Sequence, residues 1–206
     1  MEGVKLPRRE RERLDRRREI LAAALDLFSK KGYFRVSMDE IAGRAEFAIG
    51  TVYKFFKNKD DLYSALILEE ARRVHDALIR GVKRSDHEVD EVRGYVMAKG
   101  EAFCTRTSTI RLYFAEIEGA GFNVIPERGR EIQQLSSDLR RIVASVFESG
   151  MKKRIFRRIA DPIQLAVTLE HMTNGFIFLW LEEPESHPYP KSADTILDVL
   201  FEGVLV

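Results

Sequence analysis

The sequence predicts an all-α protein: an N-terminal three-helix module that contains a helix-turn-helix, followed by a larger helical body. Three observations carry that expectation. Apolar residues recur at helical three- and four-residue spacing in one segment after another. No stretch shows strand-like alternation bounded by hairpin turns. Helix punctuation recurs along the chain, with Ser37 and Asn58 as caps, Asp161-Pro162 as a cap and first-position proline, and Gly32 and Gly150 as terminators. At 206 residues, 45% hydrophobic and 33% charged, the composition is that of an ordinary globular protein with one sizeable core or two small ones.

Residues 5–19, KLPRRERERLDRRRE, mix basic and acidic side chains with little apolar content. They read as a solvated arm or a helix laced with ion pairs, or else as a basic arm over DNA phosphates led by Arg16, Arg17 and Arg18. From Ile20 an amphipathic helix turns Ile20, Leu21, Ala24, Leu25, Leu27 and Phe28 inward and ends at Gly32. Ser37 stands three residues before Glu40, the spacing of a capping box, and Val36 and Ile41 fall at hydrophobic-staple positions. A second helix therefore starts at Met38, with Met38, Ile41, Ala42 and Ala45 inward. After Glu46-Phe47-Ala48 a third opens, with Val52, Phe55 and Phe56 on one side. Two short helices joined by a few residues form a helix-turn-helix.

The outward side of that third helix carries Gly50, Thr51, Tyr53 and Lys54. Gly50 lets exposed amides approach a phosphate, Thr51 offers a hydroxyl and a methyl to a base edge, and Tyr53 and Lys54 reach the sugar-phosphate backbone. Asn58 caps the next helix, flanked by Lys57 and Lys59 as a second phosphate clamp. With Ser37 at the preceding helix start, these residues are the candidate DNA contacts.

The strings ILAAALDLFSKKGYFRVSMDE, IAGRA and GTVYKFFKNKDDLYSAL closely resemble the N-terminal domain of TetR-type transcriptional repressors, over roughly residues 16–66. The resemblance implies that Ile49–Phe55 is the recognition helix, that Thr51, Tyr53 and Lys54 contact DNA, and that Lys59 contacts a phosphate. It implies residues 1–58 as DNA-binding domain with a basic arm, and 59–206 as a helical effector-binding and dimerisation domain. It also implies a homodimer on a palindromic double-stranded operator, released by a small hydrophobic or amphipathic molecule. Three positions depart from the pattern: Glu46 where the turn usually has glycine, Ala48 where the cap is usually serine or threonine, and Ile49 where a polar residue is common. Ile49 lies close to the Val52 side of the wheel, so its expected place is the core edge.

Beyond Asn58 a long helix is expected to about Lys83, another over Asp86–Thr105, and a shorter one over Thr107–Glu118. Pro126 fits the first position of a helix running to Ser149 and stopped by Gly150. MKKRIFRRIA then reads as a solvated basic connector. Asp161 and Pro162 open a strongly apolar helix that ends before Pro184, and a last helix follows from about Pro190 or Lys191. Phe103, Tyr113, Phe114, His171, Asn174 and Phe178 form the candidate effector-binding set, mostly apolar with few polar groups. Leu169, Met172, Phe176 and Trp180, with Leu197, Leu200 and Phe201, form the candidate dimer interface. The reason is that a helix apolar nearly all round needs burial on several sides.

Net charge is only +1, but its distribution is uneven: residues 1–59 hold 15 basic against 9 acidic side chains, the remainder 19 against 24. A basic end on a mildly acidic body is the electrostatic footprint of a DNA reader carried by a sensor. No run of apolar residues is long enough for a membrane span and no signal peptide is visible, so a cytoplasmic location is expected. Cys104 is the single cysteine, and His75, His87, His171 and His187 are scattered, so neither a disulfide nor a metal site is expected. No phosphate loop or nucleophile elbow occurs, and the Ser149–Lys152 match to S-x-x-K lacks its companion motifs. A regulator, not an enzyme, without cofactor, is the leading expectation; a DNA-binding architectural protein without ligand input is the alternative.

Overall fold

A computed structural model describes residues 7–104, 107–108, 126–189 and 193–204. In chain order the helices are α1 (Arg8–Lys31), α2 (Met38–Arg44), α3 (Ile49–Tyr53), α4 (Lys59–Val82), α5 (Glu88–Cys104), α6 (Pro126–Lys152), α7 (Pro162–Glu182) and α8 (Asp194–Val204). The described residues contain no strand. They fall into two compact units, one running to Glu69 and a second taking up from Glu70.

The N-terminal unit closes over Ile20, Ala24, Phe28, Val36, Ile41, Val52, Phe56, Leu62 and Leu66. α1 begins at Arg8, well before the amphipathic stretch, so the charged arm is helical. It carries its own ion pairs, Arg8 to Glu12 at 2.8 Å and Arg18 to Asp15 at 3.1 Å. Gly32, with φ of 75°, ends α1 and donates its N–H to the Phe28 carbonyl.

The second unit is built around Val92, Val96, Phe147, Phe156, Leu165, Leu169, Ile196, Leu197 and Phe201. α5 and α7 begin and end close to where the sequence places them, and α7 opens on the Asp161–Gln164 capping box with Pro162 in its first turn. The expected helix over Thr107–Glu118 lies almost wholly outside the described residues. Backbone meets backbone where α4 crosses α5: a side chain at Gly94 would collide with the Gly81 carbonyl, and one at Gly81 with Ala98.

Gly150 does not stop α6, which continues to Lys152. The glycine instead makes room for the ring of Phe156, which a Cβ at position 150 would strike. The chain turns at Arg154, with φ of 61°, and the N–H groups of Ile155 and Phe156 return to the Gly150 carbonyl at 2.8 and 3.1 Å. Nor is the segment after it simply a solvated connector. Phe156 is buried among Phe147 and Phe201, and Lys153 pairs at 2.6 Å with the buried carboxylate of Glu88. That pair, with a hydrogen bond from Ser149, holds the Glu88 carboxyl down to about 2.

Candidate nucleic-acid interface

Ser37 and Glu40 close the capping box that opens α2. Ser37 Oγ accepts from the Glu40 N–H at 3.1 Å, and the Glu40 carboxylate accepts from the Ser37 N–H at 2.9 Å. Lys31 pairs with the same carboxylate at 2.8 Å and, ahead of the cap, keeps it below its ordinary range. α2 gives way to a turn in which Glu46 takes φ of 58°, and the Phe47 N–H bonds back to the Ala42 carbonyl at 2.9 Å. The turn therefore asks for the left-handed conformation that glycine adopts freely and glutamate does not. This is the physical meaning of the first departure from the family pattern.

α3 starts at Ile49 with no side-chain cap from Ala48. It ends at Tyr53, short of the expected Phe55, where the Lys54 and Phe55 N–H groups turn to carbonyls three residues back, Thr51 at 3.2 Å and Val52 at 3.0 Å. Val52 is fully buried and Ile49 packs half-buried against the same core, as its wheel position suggested. Gly50, Tyr53 and Lys54 are exposed and Thr51 is half-buried. Tyr53, at 51% exposure, is a large aromatic held in solvent by a short helix.

Asn58 Oδ1 accepts from the Asp61 N–H at 2.8 Å, and Asp61 in turn accepts from the Lys57 N–H at 3.0 Å. The side chain of Lys57 stays exposed. Lys59 folds back: its ammonium donates to the Tyr33 and Val36 carbonyls, both at 3.1 Å, and lies 4.3 Å from the centre of the Tyr33 ring. Tyr33 donates its hydroxyl to Asp60, and burial followed by that carboxylate raises its phenol well above the usual range. Lys59 thus bolts the loop before α2 to the start of α4, and one N–H of its three remains for a phosphate. On α1, Arg17 pairs with Glu69 at 2.5 Å and lies over Phe56, whereas exposed Arg16 has no acidic partner among the described residues.

Of the effector candidates, Phe103 and Asn174 are buried, Phe178 is half-buried and His171 is exposed, while Tyr113 and Phe114 lie outside the described residues. One residue was missed. Lys99 lies on the inward stripe of α5 with Val92, Val96 and Phe103, and is wholly buried. Its ammonium donates to Tyr95 Oη at 3.2 Å and to the Glu170 carbonyl on α7 at 3.1 Å. Burial pushes it down to about 8, against the pull of the Glu170 charge. The signal was a lysine at helical spacing on an apolar stripe. Of the interface candidates, Leu169, Leu197, Leu200 and Phe201 are buried in the core of the chain itself. Met172, Phe176 and Trp180 are half-buried, and among the described side chains the large apolar residues left exposed on α7 and α8 are Ile163, Leu179 and Val199.

A basic helical unit that presents a short exposed helix from a buried hydrophobic anchor is a helix-turn-helix DNA reader. Residues 20–66 match the family model described as bacterial regulatory proteins, tetR family. Over that N-terminal domain the chain matches the TetR family of transcriptional regulators. It is 27% identical over 187 residues to the uncharacterized HTH-type transcriptional regulator YhgD of Bacillus subtilis (strain 168), covering 91% of this chain and 93% of that one. Among solved structures it resembles the fatty acid degradation regulator FadR from Bacillus halodurans, with a TM-score of 0.75 at 16% identity over 90% of this chain and 97% of that one. It also resembles SmeT in its complex with triclosan, with a TM-score of 0.74 at 21% identity over 93% and 92%. These two likenesses show the fold. No helix among the described residues is long and apolar enough to cross a membrane.

Proposed function

We propose that this regulator binds an inverted-repeat operator as a homodimer, represses from it in the cytoplasm, and leaves it when a small hydrophobic or amphipathic molecule enters the body. The carrying observation is the exposed ridge of Gly50, Thr51, Tyr53 and Lys54 standing on buried Val52. In this reading Thr51 touches a base edge, and Tyr53 and Lys54 hold the backbone. Ser37, Lys57 and the remaining N–H of Lys59 bind phosphates on either side. Residues 1–58, with the first turns of α4 whose Leu62 and Leu66 close their core, form the reading head, and the remainder of 59–206 the effector and dimer domain.

One head reads a half-site, so specific affinity needs two at fixed spacing. The exposed Ile163, Leu179 and Val199, with half-buried Met172, Phe176 and Trp180 beside them, are the apolar surface that supports pairing through α7 and α8. The effector reading draws on Phe103, Asn174 and Phe178, with His171, Tyr113 and Phe114 as further candidates. Of the two structural relatives, one is a regulator of fatty acid degradation and the other holds triclosan, which favours an apolar effector. Selection of bound sequences from a random DNA pool, followed by a screen for compounds that release them, tests the proposal. Recovery of inverted repeats and release by an apolar compound is the expected result. Sequence-blind binding that no compound relieves would replace it with an architectural role.

A further inference from the structure

Resting on the effector reading, we infer that the effector carries an anionic head group, a carboxylate on an apolar skeleton, received on the seam between α5 and α7 by Lys99 and Asn174. Lys99 is an ammonium buried in the body, 3% exposed. Its two hydrogen bonds go to neutral acceptors, a phenol and a peptide carbonyl, and no carboxylate of the described residues pairs with it. Glu170, the acid whose charge acts on it, accepts a hydrogen bond from Arg140 at 3.2 Å. The node therefore holds two cations to one anion, and one ammonium N–H of Lys99 is left over.

Asn174 lies one turn beyond Glu170 on the same face of α7. In an α-helix its backbone N–H points at the Glu170 carbonyl that Lys99 also reaches, and its side chain leans back over that turn. Its Oδ1 is buried without a partner, one of three such atoms among the described residues, with Arg140 Nε and His75 Nε2. All three lie in the second unit. A buried orphan costs free energy that the fold has no structural reason to retain, and an amide can turn over to present its N–H to an incoming oxygen. A carboxylate placed there takes the spare ammonium proton and the amide N–H, and neutralises the excess charge. The apolar stripe that carries Phe103 one turn further along α5 suits a hydrocarbon body.

The test compares dodecanoate with dodecanol on the full-length protein, reading thermal midpoint and release of operator DNA, in the native sequence and in Lys99→Met. Dodecanoate is expected to raise the midpoint and to release DNA with at least about tenfold greater potency than the alcohol. In Lys99→Met the free protein is expected to melt higher, because a buried charge has gone, and to lose its response to the carboxylate. A purely structural lysine predicts the reverse: a lower midpoint and an unchanged preference for carboxylate. A carboxylate response that survives Lys99→Met, or the absence of any carboxylate response in the native protein, overturns the inference. The effector reading falls separately, when no neutral or charged compound of a broad panel releases DNA. Should Lys99→Met fail to fold, NMR titration of the native Lys99 side chain decides, its midpoint moving up from about 8 when dodecanoate is added or staying where it is.

Discussion

The turn at Glu46 makes a quantitative prediction. Its φ of 58° puts a side-chain-bearing residue in the left-handed region, which costs about 1–2 kcal/mol relative to a relaxed conformation. Glycine removes that cost but gives back about 0.5–1 kcal/mol through the greater freedom of the unfolded chain. Glu46→Gly should therefore stabilise the protein by about 0.5–1 kcal/mol, a rise of about 1–4 °C in midpoint for a chain of this size. The Glu46 side chain is exposed and makes no bond that its loss would break. Calorimetry of Glu46→Gly beside Glu46→Ala isolates the backbone term, because alanine removes the same carboxylate while keeping the strained φ. Equal midpoints for the two variants would refute the reasoning. Both variants also delete a negative charge beside the proposed DNA surface, so both should bind operator more tightly than the native protein.

In the reading head, Lys54→Ala should weaken operator binding and flatten its salt dependence by about one counterion, while Thr51→Val should alter sequence preference more than affinity. Unchanged binding by both would remove α3 from the groove. For the dimer, Leu179→Glu with Val199→Asp should yield monomers by sedimentation and weak operator binding. The buried Leu200 and Phe201 are poor places for that experiment, since charges there would unfold the chain first. Dilution of the native protein should change the emission of Trp180, which a tryptophan remote from the interface would not show. Glu88 has its carboxyl held at about 2 against an ordinary 4.5, so its stabilising share is complete above the ordinary value and is lost as pH falls towards about 2. Glu88→Gln should therefore narrow its deficit against the native protein across that acid window. A deficit that stays constant through it would contradict the assignment.

The features legible in the sequence are those decided within a few residues. The Ser37–Glu40 box, the Asn58 cap and the Asp161-Pro162 start are local hydrogen-bond chemistry, and the structure has each of them. Gly150 was misread because its role is set by Phe156, whose ring arrives only after the chain turns back at Arg154. Lys59 shows its flank position in the sequence but not its bonds to the Tyr33 and Val36 carbonyls, which depend on how the loop before α2 folds. Lys99 was passed over for the same reason. A lysine on an apolar stripe can extend to water along its own methylenes, and only the packing of α5 against α7 takes that path away. The sequence shows α7 as apolar nearly all round, but composition could not divide it between own core and exposed face.

Where α4 and α5 cross at Gly81 and Gly94, the contact is between peptide groups with only the Ala98 methyl beside them. Side chains at a helix crossing absorb small displacements by changing rotamer, and peptide groups have no rotamers to change. The end of α4 and the middle of α5 consequently behave as a stiff coupling with no slack. Lys99 sits little more than one turn beyond Gly94, so a displacement of α5 at the ammonium bears on α4 at this crossing. A single methyl at Gly94 would act there as a permanent shim, holding the crossing open in the absence of any ligand.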